Sequence, residues 1–173
     1  MTGSSLFVIG GARSGKSRYA QARAEAAGGN PIFVATAEAF DDEMRDRIAR
    51  HRADRDARWT TVEAPRALPA AIDALSAKDA VVLVDCLTLW VSNLLLADAD
   101  IPLAGRQFCN AIARFEGTLI LVANEVGLGI VPDNALARSF RDAAGQLNQS
   151  VAASAREVVL LTAGLPLTLK SDA

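Results

Sequence analysis

The chain lacks the features that mark secreted, nucleic-acid-binding or membrane-spanning proteins. It has two cysteines, Cys86 and Cys109, which are too few for a disulfide framework and lack the spacing of zinc ligands. Its 20 acidic and 18 basic side chains give a net charge of −2, so no basic surplus favours a nucleic-acid partner. The first residues lack the pattern of a signal peptide, and no apolar run approaches the roughly 20 residues of a membrane span. We therefore expect a cytoplasmic protein with reduced cysteines and no membrane span.

The composition is that of a folded domain with one core. The chain has 173 residues, of which 51% are hydrophobic and 22% charged, and residues 1–173 are predicted to form a single domain. Five short apolar runs, rich in β-branched residues and continuous rather than alternating, are typical of parallel strands covered on both faces. These runs are residues 5–9, 32–35, 80–84, 118–123 and 158–162.

Helical segments separate these runs. Residues 59–63 are compatible with a further short strand, and Pro102 is expected to break the chain before a helix. Leu165–Lys170 alternates after Gly164 and is predicted to pair with the preceding strand as an antiparallel edge. The alternation predicts an α/β fold with a doubly wound, mostly parallel sheet, in which ligands bind beyond the carboxyl ends of the strands. The predicted helices are residues 16–27, 41–58, 68–76, 87–97, 105–115 and 134–155.

Residues 10–17, Gly-Gly-Ala-Arg-Ser-Gly-Lys-Ser, lie between the first apolar run and the first helical segment. They match the Walker A pattern in its strand–loop–helix context. The glycines allow backbone N–H groups to surround phosphate oxygens, and the helix directs its positive end at the same place. In this pattern Lys16 binds the β- and γ-phosphates, and the Ser17 hydroxyl is a ligand for Mg²⁺. The pattern therefore predicts a nucleotide site.

Asp85 follows the apolar run 80–84, which is the Walker B arrangement of a strand that ends in a carboxylate. Such a carboxylate would bind Mg²⁺ across from Ser17. The alternative is that Asp85 caps the helical segment that begins shortly after it. The residues leave both interpretations open.

His51, the only histidine of the chain, lies in the charge-rich segment 41–58. Met44, Ile48 and His51 recur at helical spacing and share the face that is expected to pack inward. Neighbouring arginines disfavour protonation of the imidazole, which leaves a neutral nitrogen able to attack phosphorus. The alternative is a structural histidine on a solvated helix with i,i+4 ion pairs, and the residues alone leave both open.

Two further regions are also ambiguous. Residues 124–132 follow the fourth apolar run and contain two glycines, so they form either a binding loop or a plain crossover connection. On the last helical segment, Arg138, Arg141 and Gln146 are either surface residues or anion contacts.

Several segments together are far more specific than the Walker A pattern. They are residues 10–17, 35–38, 41–44, 47–51, 84–88, 124–132 and 141–149, with Trp59 and Glu63. In these segments the chain resembles the bifunctional adenosylcobinamide kinase/adenosylcobinamide-phosphate guanylyltransferase family of cobalamin biosynthesis. The resemblance extends over nearly the whole chain.

The resemblance implies a P-loop NTPase-like fold and a role for each matching residue. His51 would accept GMP covalently, Lys16 would act on the transferring phosphates, and Ser17 and Asp85 would hold Mg²⁺. Some members have glutamate at the position of Asp85, and some have a second histidine where this chain has Arg50. The implied nucleotide-binding residues are Gly10, Gly11, Ala12, Arg13, Ser14, Gly15, Lys16, Ser17, Thr36, Ala37, Glu38, Arg52, Ala53, Asp54, Arg55, Glu63 and Asp85.

The resemblance also implies two reactions. ATP or GTP phosphorylates adenosylcobinamide, and GMP from GTP then passes through a histidyl–GMP intermediate to adenosylcobinamide phosphate, giving adenosylcobinamide-GDP. A homo-oligomer, such as a trimer, is implied as well.

Two alternative functions do not require a histidine among arginines. One is a plain P-loop kinase that acts on another small alcohol. The other is a nucleotide-gated binding module in which residues 124–132 are a switch.

Overall fold

A computed structural model describes residues 3–38 and 57–171 of the chain. These residues form one seven-stranded sheet, whose order is β3-β2-β4-β5-β1-β6-β7 when the strands are numbered along the chain. Every neighbouring pair is parallel except β6 with β7, so the predicted mostly parallel sheet with an antiparallel edge is confirmed. The strands are β1 (Ser4–Gly10), β2 (Ile32–Ala35), β3 (Thr60–Glu63), β4 (Val81–Asp85), β5 (Thr118–Asn124), β6 (Glu157–Thr162) and β7 (Leu165–Lys170).

Five α-helices connect these strands within the described residues, at positions close to those predicted. The predicted helix 41–58 lies outside the described residues except for Ala57 and Arg58, which form a turn. The strand expected at residues 59–63 is present as β3. The helices are α1 (Lys16–Ala26), α2 (Leu68–Ala74), α3 (Leu87–Leu96), α4 (Ile101–Arg114) and α5 (Ala135–Ser154).

The start of α4 corrects one prediction. Pro102 does not break the chain before the helix but lies in its first turn. Proline is tolerated there because the first-turn N–H groups have no partner within the helix. The Asp100 carboxylate caps the turn by accepting a hydrogen bond from the Leu103 N–H at 2.8 Å. The helix therefore starts four residues earlier than the sequence suggested.

The sheet is covered on both faces, as its continuous apolar strands predicted. In β1, Phe7 and Ile9 belong to the larger core cluster, which the helices α2 to α5 complete. Leu6 and Val8 point to the opposite face, where α1 packs through small alanine side chains. Because neighbouring side chains of a strand alternate in direction, a run with no polar residue requires cover on each side.

The strand ends are aligned at the carboxyl edge of the sheet. Gly10, the last residue of β1, lies opposite Asn124 of β5 and Leu161 of β6. On the other side of β5, Asp85 of β4 lies opposite Ala35 of β2. The loops that follow these strands therefore emerge side by side along one edge.

Candidate active site

The loop between β1 and α1, residues 10–17, occupies the centre of the carboxyl edge. Gly15 precedes the first helical residue with φ 93°, and no side chain caps the N-terminus of α1. Arg13 has φ 55°. This backbone leaves the first N–H groups of α1 without a side-chain acceptor in the described residues. Such a helix N-terminus is suited to bind phosphate oxygens.

Two glycines of this loop are required by space and by backbone conformation. A Cβ on Gly10 would lie 2.6 Å from the Leu161 carbonyl oxygen and 2.7 Å from the Ser14 Oγ. Gly15 has the left-handed conformation that side-chain-bearing residues rarely adopt. Glycine is therefore needed at both positions for this loop to pack against β6 as it does.

Two polar side chains of the loop make few hydrogen bonds with the rest of the described protein. The buried Lys16 donates one hydrogen bond, from Nζ to the Gly11 carbonyl oxygen at 3.0 Å. The Ser14 hydroxyl is buried and has no hydrogen-bond partner among the described residues. A buried polar group without a partner costs about 1–3 kcal/mol, so a ligand that satisfied it would be stabilised. An anion in the loop would provide acceptors for both groups.

The β6–β7 hairpin supports the loop from one side. Its two turn residues, Ala163 and Gly164, have φ values of 53° and 79°, as a tight two-residue hairpin requires. The Gly164 N–H donates to the Ser14 carbonyl oxygen at 2.9 Å. The turn before the predicted antiparallel strand therefore contacts the phosphate loop. The sequence did not indicate this contact.

Asp85 ends β4, two strands away from β1 in the sheet. The alternative interpretation of Asp85 as a helix cap is wrong, because the N-cap of α3 is Cys86 and no side chain caps it. The Asp85 carboxylate has no hydrogen bond or ion pair with the rest of the described chain. Burial raises the pKa of the neighbouring Cys86 thiol to about 11, and the Asp85 carboxylate adds to the rise. The thiol is therefore protonated at neutral pH and is not a nucleophile.

The donor set of the edge fits Mg²⁺. Asp85 supplies a partly exposed carboxylate and Ser17 a partly exposed hydroxyl, and both are hard oxygen ligands. Among residues 3–38 and 57–171, no group of three or more histidine, cysteine or acidic side chains is arranged around a metal position. This is expected where phosphate oxygens and water complete the coordination of Mg²⁺, as in nucleotide sites.

Thr36 has a structural role that the sequence did not reveal. Its side chain is fully buried, and its Oγ1 donates to the Cys86 carbonyl oxygen at 2.7 Å and accepts from the Cys86 N–H at 3.0 Å. The buried Asn93 of α3 donates from Nδ2 to the carbonyl oxygens of Thr36 and Pro65, at 2.7 and 2.9 Å. These bonds fix the ends of β2 and β4 relative to each other, and therefore the position of Asp85.

Two predicted carboxylates lie at the same edge as Asp85. Glu63 ends β3 opposite Ala35 of β2, and Glu38 follows β2 after the half-buried Ala37. The Glu38 carboxylate is held by Arg66, whose Nε donates to its Oε1 at 3.0 Å. The edge thus carries three acidic side chains from the ends of β2, β3 and β4.

The loop after β5 starts directly beside the phosphate loop. The Glu125 N–H donates to the Gly10 carbonyl oxygen at 3.0 Å, and the Thr88 hydroxyl accepts from the Asn124 N–H at 2.7 Å. At the other end of the loop, Arg138 donates to the carbonyl oxygens of Pro132 and Asp133. These bonds give Arg138 a structural role in holding the loop.

The remaining predicted residues fall into two groups. Arg141 lies 3.6 Å from the Asp142 carboxylate, and Gln146 is on the same helix away from the edge. The predicted nucleophile and the residues that follow it are outside the described part of the chain: His51, Arg52, Ala53, Asp54 and Arg55.

Similar proteins identify the family of the chain. The chain is 45% identical to the bifunctional adenosylcobalamin biosynthesis protein CobP of Pseudomonas aeruginosa, over 96% of its own length and 97% of that protein. It is 40% identical to the bifunctional adenosylcobalamin biosynthesis protein CobU of Salmonella typhimurium, over 95% of its length and 99% of that protein. The CobU protein of Escherichia coli has the same identity and coverage.

Solved structures with much lower identity share the fold. The flagellar accessory protein FlaH of Methanocaldococcus jannaschii superposes with a TM-score of 0.56 at 13% identity, covering 99% of this chain and 80% of that one. A Pyrococcus horikoshii protein from project PH0250 gives the same TM-score at 12% identity, with 99% and 88% covered. Residues 6–169 match the family described as cobinamide kinase/cobinamide phosphate guanyltransferase, and the chain belongs to this CobU family.

Proposed function

We propose that the chain phosphorylates adenosylcobinamide with ATP or GTP and then transfers GMP from GTP to adenosylcobinamide phosphate, giving adenosylcobinamide-GDP. The family and its 40–45% identical bifunctional relatives support both activities. The observation that carries the proposal is the phosphate loop itself, in which Lys16 has one carbonyl partner and the buried Ser14 hydroxyl has none in the described residues.

In the kinase step, the cobinamide hydroxyl oxygen forms a bond to the γ-phosphorus while the bond to the β–γ bridging oxygen breaks, so ADP or GDP leaves and the hydroxyl proton passes to solvent. Lys16 exchanges its hydrogen bond to the Gly11 carbonyl for the phosphate oxygens and stabilises their charge. The first N–H groups of α1 bind the same oxygens. Bound Mg²⁺, held by Ser17 and Asp85, would neutralise charge on the phosphates.

In the guanylyl transfer, an imidazole nitrogen of His51 forms a bond to the α-phosphorus of GTP and pyrophosphate leaves. A phosphate oxygen of adenosylcobinamide phosphate then attacks this phosphorus, and the bond to His51 breaks. Covalent transfer divides one difficult displacement into two easier steps. His51 is proposed because it is the only histidine of the chain and lies in the segment that resembles the family.

The proposed GTP contacts extend along the carboxyl edge. Thr36 would contribute by positioning Asp85 rather than by direct contact, since it is fully buried, its hydroxyl is bonded to Cys86 and its carbonyl oxygen accepts from Asn93. Glu63 ends β3 and Glu38 follows the neighbouring β2, so both carboxylates lie at this edge. The further proposed contacts are Ala37, Arg52, Ala53, Asp54 and Arg55, with residues 10–17.

The experiment that tests this function separates the two steps. Purified protein is incubated with Mg²⁺ and GTP labelled at the α-phosphate, beside the His51→Ala variant. We expect an acid-labile, alkali-stable label on the wild type and none on the variant, because a phosphorus–nitrogen bond hydrolyses in acid. Phosphorylation of adenosylcobinamide by the variant should remain substantial.

The other outcomes select between the alternatives. A wild type that phosphorylates adenosylcobinamide but takes no label would be a plain P-loop kinase. Equal loss of both activities in a folded variant would contradict a role of His51 confined to the second step. Circular dichroism and nucleotide binding of the variant provide the control for folding.

We also propose that residues 1–173 act as one domain in a cytoplasmic homo-oligomer, such as a trimer. The support for the oligomer is the family resemblance, and light scattering of the purified protein tests it. In residues 3–38 and 57–171, no helix has the length and apolar character needed to cross a bilayer.

A further inference from the structure

The connection between β5 and α5, together with the first turn of α5, exposes large apolar side chains at the carboxyl edge of the sheet. The side chains of Leu128 and Ile130 are 90% and 98% exposed, and those of Val131 and Leu136 are 61% and 57% exposed. We call these four residues the apolar tip. Clustered exposure of this kind is typical of a surface that binds something, because folding gains nothing from it.

The shape of the connection does not depend on the apolar tip. One end is fixed by the bonds of Thr88 to Asn124, and the other by Asn134, whose side chain accepts from the Ala137 N–H at 2.8 Å. Within the loop, the Glu125 carboxylate accepts from the Gly127 N–H at 2.6 Å. The hydrogen bonds at both ends thus fix the loop without the apolar side chains. These side chains are therefore available to contact a ligand.

The loop also has a defined position relative to the phosphates. It begins at Glu125, whose N–H is bonded to Gly10, the first residue of the phosphate loop. Residues 126–132 contain no charged side chain. A nucleoside triphosphate, which is highly charged, would gain little from such a surface, whereas a large ligand with an extensive apolar surface that reaches the γ-phosphate would gain much.

We propose that the apolar tip binds the macrocycle of the corrinoid acceptor while its hydroxyl reaches the phosphate loop. This inference rests on the proposed function and identifies the acceptor subsite. A corrinoid fits because only its aminopropanol hydroxyl takes part in the reaction. The rest of the molecule is a broad ring with methyl groups and uncharged amides, and it must extend outward from the edge.

The test compares a tip variant with a matched control. Leu128→Ser/Ile130→Ser removes the two most exposed side chains of the tip, and Leu96→Ser/Leu169→Ser removes leucines that are 63% and 57% exposed elsewhere. Leu96 ends α3 and Leu169 lies near the end of β7, both towards the opposite edge of the sheet. Kinase kinetics are measured with adenosylcobinamide and ATP, and self-labelling with GTP.

We expect the tip variant to raise the KM for adenosylcobinamide about tenfold or more, since each buried leucine or isoleucine contributes appreciably to binding. The KM for ATP and the self-labelling should be unchanged. The control variant should match the wild type, and the conservative Leu128→Met/Ile130→Leu variant should retain most of the corrinoid affinity.

Three results would overturn the proposal. An unchanged KM for adenosylcobinamide in the tip variant, with an active wild type, would refute the subsite but leave the proposed function intact. A higher KM that appears only together with dissociation on light scattering would mean that the tip covers a second copy of the chain. A wild type that neither binds nor phosphorylates adenosylcobinamide would refute the function and the subsite together.

Discussion

The two edges of the sheet use their charged groups differently. At the amino edge, Arg23 and Glu157 form a two-pronged ion pair, with N–O distances of 3.0 and 2.7 Å. Lys170 donates from Nζ to three carbonyl oxygens at the end of α5, those of residues 152, 153 and 155. Arg114 and Asp73 form a further pair. These charges are satisfied by the protein.

At the carboxyl edge, the phosphate loop and the end of β4 carry polar groups with few protein partners among the described residues. Lys16 donates to one carbonyl, while Ser14 and Asp85 have no hydrogen bond from their side chains within the described residues. The difference indicates that the amino edge contributes to stability and the carboxyl edge to binding. Two exceptions at the carboxyl edge have protein partners: Glu38, which pairs with Arg66, and Thr36, whose hydroxyl is bonded to the Cys86 backbone.

The largest effect we expect is from the two lysines, which test the comparison directly. Lys16→Ala should lower kcat/KM for the kinase step by about 100-fold or more, because a preorganised charge on the transferring phosphate is lost. Its melting temperature should stay close to that of the wild type, since one hydrogen bond is removed. Steady-state kinetics and calorimetry measure both quantities.

Lys170→Ala should give the reverse result. Loss of a cation at the C-terminus of α5 should cost about 1 kcal/mol and lower the melting temperature by roughly 2–4 °C. Kinase activity at 25 °C should be close to that of the wild type. If Lys170→Ala inactivated the folded enzyme, or Lys16→Ala left it active, the distinction between the edges would be wrong.

The next effect is on stability alone and is expected at Thr36, a buried residue of the carboxyl edge. Thr36→Val keeps the shape but leaves the buried N–H and carbonyl groups of Cys86 without their partner, which should cost about 1–3 kcal/mol of unfolding free energy. Thr36→Ser retains the hydroxyl and should be less destabilised. Urea titration measures the difference. Equal stability of the two variants would show that the hydroxyl does not join β2 to β4.

The sequence correctly predicted most structural elements whose position depends on signals within one segment. The Walker A pattern placed β1, residues 10–17 and α1 correctly, because their positions follow from glycine, lysine and apolar periodicity within one segment. Leu165–Lys170 was correctly predicted as a hairpin strand, since Gly164 supplies the turn. Pro102 was misplaced because proline is compatible with both a break and a first helical turn.

What the sequence did not show depends on contacts between distant segments. The hydrogen bonds between Thr36 and the Cys86 backbone require β2 and β4 to be neighbours. The sequence of either strand alone does not determine which strands are neighbours. Asn93 was missed for the same reason, although an asparagine within the apolar stretch of α3 is a signal that could have found it. The exposure of Ile130 could not be predicted, because an apolar residue in a loop is as often buried.

The smallest effect we expect concerns the ion pair of the amino edge and its dependence on pH. The Arg23 guanidinium, which donates to both carboxylate oxygens, lowers the pKa of Glu157 below its usual value of 4.5. The pair therefore adds stability above about pH 4.5, and this stability is lost as the pH falls through the lower pKa of the folded state.

Glu157→Gln should lower the unfolding free energy at pH 7 by about 0.5–1 kcal/mol, a value for a surface pair, because the two side chains are 38% and 30% exposed. The difference from the wild type should shrink as the pH falls below about 4.5, where the wild-type carboxylate becomes protonated. Asp73→Asn, in the pair with Arg114 that is 61% and 44% exposed, should have a smaller effect because solvent screens it more. Melting curves from pH 3 to 7 measure both variants. A difference for Glu157→Gln that did not vary with pH would mean that its side chain stabilises the edge by packing rather than by charge.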